Sequence, residues 1–294
     1  TEGDETGDDA QSEGQSEEEQ QNEGTTTSDG ETVAAVAENE QTKAAAEGID
    51  NASELKNKLE SVAENQSGSF KLMKDLDCSE EIFLNKKGSN ITLDLNGCKI
   101  KHSGEGNKPL FSVSNGAEFT ITDFNPGKDE IADTQPLQNQ GQDLTAENYG
   151  KTAEMSYVDD VPTKLTYYVT KSSVDTTDST RTNETTDKHE VTINGAIVGT
   201  KDSAMRLINV YTGGTFNLQC GVLTTTQNAK VGNLIYAENG STVNMSGGYV
   251  CGATSTGQGA GIELKDKSTT LNLTGGVIAG NHAPNGGGVY AKES

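Results

Sequence analysis

Few side chains in this 294-residue chain are placed to do chemistry, and their spacing keeps most of them apart. The two arginines, Arg181 and Arg206, have no local cluster of acids beside them. Asp159-Asp160 is a lone acidic pair that a surface loop would explain, and His102, His189 and His282 fall at corners or in loops, where a solvated imidazole needs no partner. Cys78, Cys98, Cys220 and Cys251 form no Cys-x-x-Cys or Cys/His cluster, so no metal site and no cofactor are expected. What remains is a column of side chains. Apolar pairs recur at Ile208/Val210, Ile235/Ala237, Ile262/Leu264 and Val289/Ala291, and a strand alternates its faces. The residue inside each pair therefore points outward: Asn209, Tyr236, Glu263 and Tyr290, with Ser112 in the equivalent place further up. At one stacked strand per ~4.8 Å, Tyr236 and Tyr290 would lie about 9.6 Å apart with Glu263 between them. Exposed rings at that spacing could stack the faces of a disaccharide, so Tyr236, Glu263, Tyr290 and Asn209 are the candidate glycan-binding residues. The structural alternative is that tyrosine suits a half-exposed strand.

The column exists only if the strands stack in register, and a repeat says that they do. Gly-Thr-Phe-Asn-Leu from Gly214, Gly-Ser-Thr-Val-Asn-Met from Gly240 and Ser-Thr-Thr-Leu-Asn-Leu from Ser268 place Phe216, Val243 and Leu271 at steps of 27 and 28 residues. Each unit holds three short apolar-polar-apolar pieces with glycine-rich corners and no helical spacing. That pattern predicts one turn of a parallel β-helix, an all-β solenoid. Asparagines aligned on successive turns (Asn217, Asn244, Asn272), in a second outward column with Asp94, Thr120 and Thr192, are expected to bond one another's amides.

Read in order, residues 1–48 are rich in Glu, Gln, Ser, Thr and Gly, with one faint apolar run, Val33 to Ala37. Fifteen acidic residues stand there against the single basic residue Lys43, and the segment is expected to be a disordered acidic leader. The solenoid domain is placed at 49–294. It opens with an amphipathic helix, Asn51 to Glu64, whose Asn51/Glu54 spacing is a capping box and whose Leu55, Leu59 and Val62 share one face. This helix is expected to cap the turn that starts near Leu93, since a terminal turn must hide its core. Ile91 to Leu95 and Phe119 to Ile121 are 26 residues apart measured from Leu93 to Phe119. The ruler then breaks over an insertion at about 124–190, where Leu165 to Thr170 is expected to form a hairpin with the stretch leading to Val191. It resumes at Val191, 25 residues before Phe216. About six turns are expected, with Leu93, Leu95, Phe111, Val113, Phe119, Ile121, Ile193, Ile208, Phe216, Leu218, Ile235, Val243, Met245, Ile262, Leu271, Leu273 and Ile278 pointing inward. No cap pattern follows Gly286-Gly287-Gly288-Val289-Tyr290, so the solenoid is expected to be truncated, with further turns beyond Ser294.

Composition narrows the partners. A net charge of −23 is the wrong footprint for nucleic acid and repels an anionic membrane. No apolar run is long enough to span a bilayer. The cysteine spacings, 20 and 31 residues, miss the repeat by several residues, so isolated buried or corner thiols are expected rather than bridges.

Leu93-Asp94-Leu95-Asn96-Gly97-Cys98-Lys99-Ile100, Gly275-Gly276-Val277-Ile278-Ala279-Gly280-Asn281 and Gly286-Gly287-Gly288-Val289-Tyr290 resemble the repeats of right-handed single-stranded parallel β-helices in large secreted surface proteins of anaerobic bacteria, a fold shared with the pectate lyase superfamily. The resemblance covers about Phe70 to Ser294 without the insertion. It implies export, an extracellular or cell-wall-associated location, and a host or dietary glycan or a host surface protein as partner. The function expected is a non-catalytic structural or adhesive module. The alternative is a polysaccharide lyase or glycoside hydrolase. Lyases of this fold pair calcium-binding acids with an Arg or Lys base, and the hydrolases carry Gly-His-Gly and Arg-x-Lys elements beside several aspartates. Neither pattern occurs in this sequence.

Overall fold

The computed structural model describes residues 46–104, 108–124, 153–174, 182–200 and 206–292. The expected leader over 1–48 lies outside these residues except for its last three. Glu47–Ile49 forms β1, which is followed by a single α-helix, α1 (Ala52–Ser61). As expected, Asn51 caps it: Asn51 Oδ1 accepts from the Glu54 N–H at 2.9 Å, and the Glu54 carboxylate accepts from the Asp50 N–H at 2.9 Å. Leu55 and Leu59, one helical turn apart, are fully buried in the core.

The rest is a parallel β-solenoid with three strands to each turn. Turn one is β2 (Ser67–Leu72), β3 (Leu76–Cys78) and β4 (Ile82–Leu84). Turn two is β5 (Asn90–Asp94), β6 (Lys99–His102) and β7 (Phe111–Val113). Turn three begins with β8 (Glu118–Thr122), detours through the antiparallel strands β9 (Ala153–Val158), β10 (Val161–Val174) and β11 (Thr182–Thr192), and returns with β12 (Ala196–Gly199) and β13 (Arg206–Val210). Turn four is β14 (Thr215–Leu218), β15 (Val222–Thr225) and β16 (Asn233–Ala237). Turn five is β17 (Thr242–Met245), β18 (Tyr249–Cys251) and β19 (Ile262–Leu264). Turn six is β20 (Thr270–Leu273), β21 (Val277–Ala279) and β22 (Val289–Ala291). Stacked turns make three sheets. Sheet one is β1-β2-β5-β8-β14-β17-β20, sheet two is β3-β6-β12-β15-β18-β21, and sheet three is β4-β7-β13-β16-β19-β22.

The strands stay this short because each inward face is two residues wide before a corner turns the chain. Corners after sheet three repeat a pair of left-handed residues: Asn115-Gly116, Thr212-Gly213 and Asn239-Gly240 all have positive φ. Elsewhere glycine is required by contact. A side chain on Gly247 or Gly275 would collide with the carbonyl oxygens of Gln219 and Ser246 on the preceding turn. Inside, the ladders are apolar in register, for example Ile91, Phe119, Phe216, Val243 and Leu271. Phe111 and Phe119 rings meet at 4.7 Å, and Phe119 and Phe216 at 6.0 Å.

Several expectations need correction. The capping helix covers turn one, packing on β3 and β4, and not the turn that starts near Leu93. Turn one is only partly legible in the sequence, because β3 offers only Leu-Asp-Cys as a pattern. Across turns two and three the true step is 28, since Ile91 pairs with Phe119 and Leu93 with Ile121. A two-residue slip preserves the in/out parity and so is invisible to periodicity alone. For the same reason Thr92, not Asp94, belongs to the asparagine column. The ruler does not resume at Val191 either. Phe216 pairs directly with Phe119, Val191 and Thr192 belong to β11, and the solenoid restarts only at Ala196. Ile193 is buried, but against the insertion and not in the main core. In turn six Leu271 and Ile278 are half-buried and Leu273 is 50% exposed, because no strand lies below them among the described residues.

The insertion hairpin is as expected, with Leu165 opposite Val191, and its placement supplies the main tertiary feature. Its strands run across the turns. Ala153 approaches Gly280 of turn six, Met155 approaches Gly252 of turn five, and Asp160 O accepts from Gln227 N after β15 in turn four. The inner face of this small sheet (Leu165 and Val191, with Ala153, Met155 and Tyr167) buries the outward side chains of sheet two, namely Ala196, Val198, Val222 and Cys251. In turn two, which the described residues of the insertion do not cover, the same outward positions are Lys99 and Lys101.

Candidate functional site

The column proposed from the sequence is aligned in space. Ser112 pairs with Asn209, Asn209 with Tyr236, Tyr236 with Glu263 and Glu263 with Tyr290, on the outward side of sheet three. Exposure is where the expectation fails. Tyr236 is 5% exposed and Glu263 8%; only Asn209 and Tyr290 are half-buried. Two devices close the column. The Arg206 guanidinium, from the first residue of β13, stacks on the Tyr236 ring at 3.3 Å. The glycine-rich corners leading into β19 and β22 fold against the strands: a Cβ on Gly259 would stand 3.0 Å from that of Glu263, and one on Gly286 2.8 Å from that of Tyr290.

The closed column is internally bonded. Tyr236 Oη donates to Glu238 Oε2 at 2.8 Å, and burial together with that carboxylate pushes the phenol up to about 12. Glu263 lies 3.6 Å from Lys265 Nζ. Ser112 Oγ donates to Glu81 Oε1 at 2.5 Å. Asn209 Oδ1 is buried with no hydrogen-bond partner. As it stands, Tyr236 cannot offer a ring face to a sugar, and Tyr290 is the ring of the column that solvent reaches.

The other singled-out residues are structural. Asp159 and Asp160 both have positive φ and form the two-residue turn between β9 and β10. His189 stacks on Tyr167 at 4.8 Å with planes 10° apart, His282 is exposed at a corner, and His102, expected to be solvated, is fully buried. Arg181 lies outside the described residues. No disulfide joins the four cysteines, and Cys78, Cys98 and Cys251 are buried. Among the described residues no three His, Cys, Asp or Glu side chains converge as a metal site.

A concavity that sequence reasoning missed lies under the hairpin. Tyr167, Tyr168 and Val169 of β10 face Gly276 to Asn281 and Gly288 of turn six across an open concavity of about 490 Å³. The covering of sheet two by the hairpin did have a signal in the sequence: β12 and β15 carry apolar or small residues on both faces, the mark of strands covered from outside. Comparison with known proteins gives no match to a family model, to a curated protein or to a solved structure.

Proposed function

We propose that this chain is a non-catalytic structural and adhesive module of an exported, cell-surface-associated protein, a rod that presents a hairpin platform and takes a glycan as ligand. One observation carries the reading: among the described residues, several carboxylates and an amide that could serve catalysis are engaged in tying turn to turn. Asp123 accepts from Gly97 N at 2.7 Å and Gly195 N at 3.1 Å, linking turns two and three. Asp75 accepts from Lys99 N at 2.8 Å, and Asp94 from Phe124 N at 2.8 Å. Asn281 donates to Val250 O at 2.8 Å and accepts from Ala253 N at 3.1 Å. A carboxylate that accepts two backbone N–H groups is fixed in place, which suits a strut better than a proton shuttle.

Glycan contact is assigned to the open concavity beneath Tyr167 of the hairpin and, on the outward side of sheet three, to the ring of Tyr290. The test is incubation with acidic plant and host polysaccharides in the presence of calcium, alongside retention on a glycan array. Retention without cleavage, weakened by Tyr167→Ala or Tyr290→Ala, is expected. Unsaturated products or new reducing ends would overturn the proposal in favour of a lyase or hydrolase. Absence of retention would leave the rod without its adhesive role.

A further inference from the structure

Sheet one presents its outward side chains as a regular net. In turns four to six, β14, β17 and β20 carry Thr-x-Asn at the same place, so Thr215, Thr242 and Thr270 align in one column and Asn217, Asn244 and Asn272 in the next. The register persists past the strand ends, where Ser246 N donates to Leu218 O and Thr274 N to Met245 O. Gln219, Ser246 and Thr274 therefore continue the three rows. Stacked strands stand ~4.8 Å apart, and alternate residues along a parallel strand about 6.6 Å. The product is a nearly rectangular net of hydroxyl and amide groups.

Three properties set this net apart from an ordinary strand surface. It is uncharged: the chain carries −23 overall, yet no ionisable side chain stands in these rows. The nearest carboxylate, Glu118, closes the net at its N-terminal edge by accepting from Asn217 Nδ2. Its threonine hydroxyls are unspent, since Thr215, Thr242 and Thr270 have no side-chain partner among the described residues. Its side chains are held still. Threonine is stiff about χ1, and the asparagines are tied in series, Asn272 to Asn244 and Asn244 to Asn217.

A ligand complementary to this net is neutral, repeats with the same two lengths, and offers oxygen atoms that both donate and accept. Nucleic acid and other ions find no opposite charge here. A sugar face finds no ring to stack on. The prism face of hexagonal ice meets every condition, because its oxygen atoms form a rectangular net of closely similar repeats and each of them donates and accepts. We propose that the outward face of sheet one in turns four to six is an ice-binding surface. The hydroxyls and amides join the lattice, and the threonine methyls between them order the first water layer. Each contact is weak, but a rigid array loses little freedom when many form together.

The test is partition of the whole protein between growing polycrystalline ice and the remaining liquid, together with inhibition of ice recrystallisation. The wild type is expected to be enriched in the ice and to keep the grains small. Thr242→Lys puts a long hydrated cation at the centre of the threonine column and should return the protein to the liquid, whereas Ser156→Lys, on the exposed side of β9, should partition like the wild type. Tyr167→Ala and Tyr290→Ala should do the same, since this surface does not depend on the glycan reading. Exclusion of the wild type from the ice would overturn the proposal, and so would equal enrichment of Thr242→Lys. If Thr242→Lys does not fold, as judged by circular dichroism, Thr242→Val takes its place: it keeps the shape, removes the hydroxyl, and should weaken enrichment.

Discussion

Asn217, Asn244 and Asn272 show what single side chains do along this rod. Asn272 Nδ2 donates to Asn244 Oδ1 at 2.8 Å, Asn244 Nδ2 donates to Asn217 Oδ1 at 2.7 Å, and Asn217 Nδ2 ends the series on Glu118 Oε1 at 2.7 Å and Thr120 Oγ1 at 3.1 Å. The donors all point toward the N-terminal end, where a carboxylate receives them, so the amide dipoles are aligned with their terminal charge. Removing Asn244 breaks a bond on each side, whereas removing Asn272 breaks one at a solvent-exposed end. Asn244→Ala should therefore cost about 1 to 2 kcal/mol and Asn272→Ala less than half of that, measured by urea unfolding. Equal costs would mean that the ladder does not act as a connected chain.

At the scale of the element, the insertion is a clasp. A solenoid turn ordinarily contacts only its two neighbours, but β9 to β11 lie across sheet two and touch turns three to six in one apolar contact set. Leu165 is 1% exposed at the centre of that set. Leu165→Ala should destabilise by about 2 to 5 kcal/mol, and hydrogen exchange should quicken together in β12, β15 and β18 under the hairpin. If exchange quickens in β10 and β11 alone, the hairpin is an ornament and not a clasp.

Over the whole molecule, stability should run as a gradient. The N-terminal end is closed by α1, with Leu55 and Leu59 seated in the core. The middle turns carry the phenylalanine stack and the clasp. Turn six leaves Leu273 50% and Val289 36% exposed. Amide exchange in the chain of this length should be slowest in β13 to β17 and fastest in β20 to β22, because an edge strand with its core half-open unfolds locally at little cost. Uniform protection from β5 to β22 would contradict this.

The sequence by itself determined the architecture, because the apolar ladder, the Asn-Gly corners and the glycines under neighbouring carbonyls are all local consequences of a strand period of two and a turn period near 27. The alignment of Asn209, Tyr236, Glu263 and Tyr290 followed from the same arithmetic. Periodicity could not determine register across the insertion, since a slip of two residues leaves every side chain on its own face, and Val191 reads like any other rung. Nor could it determine exposure. An outward residue is exposed only if nothing folds over it, and what folds over Tyr236 and Glu263 is Arg206 together with the Gly257 to Gly261 corner, brought there by the winding of the chain. The burial of His102 between the carbonyl oxygens of Cys78 and Lys108 was decided in the same way, by segments separate in sequence that the third dimension places on either side of one ring.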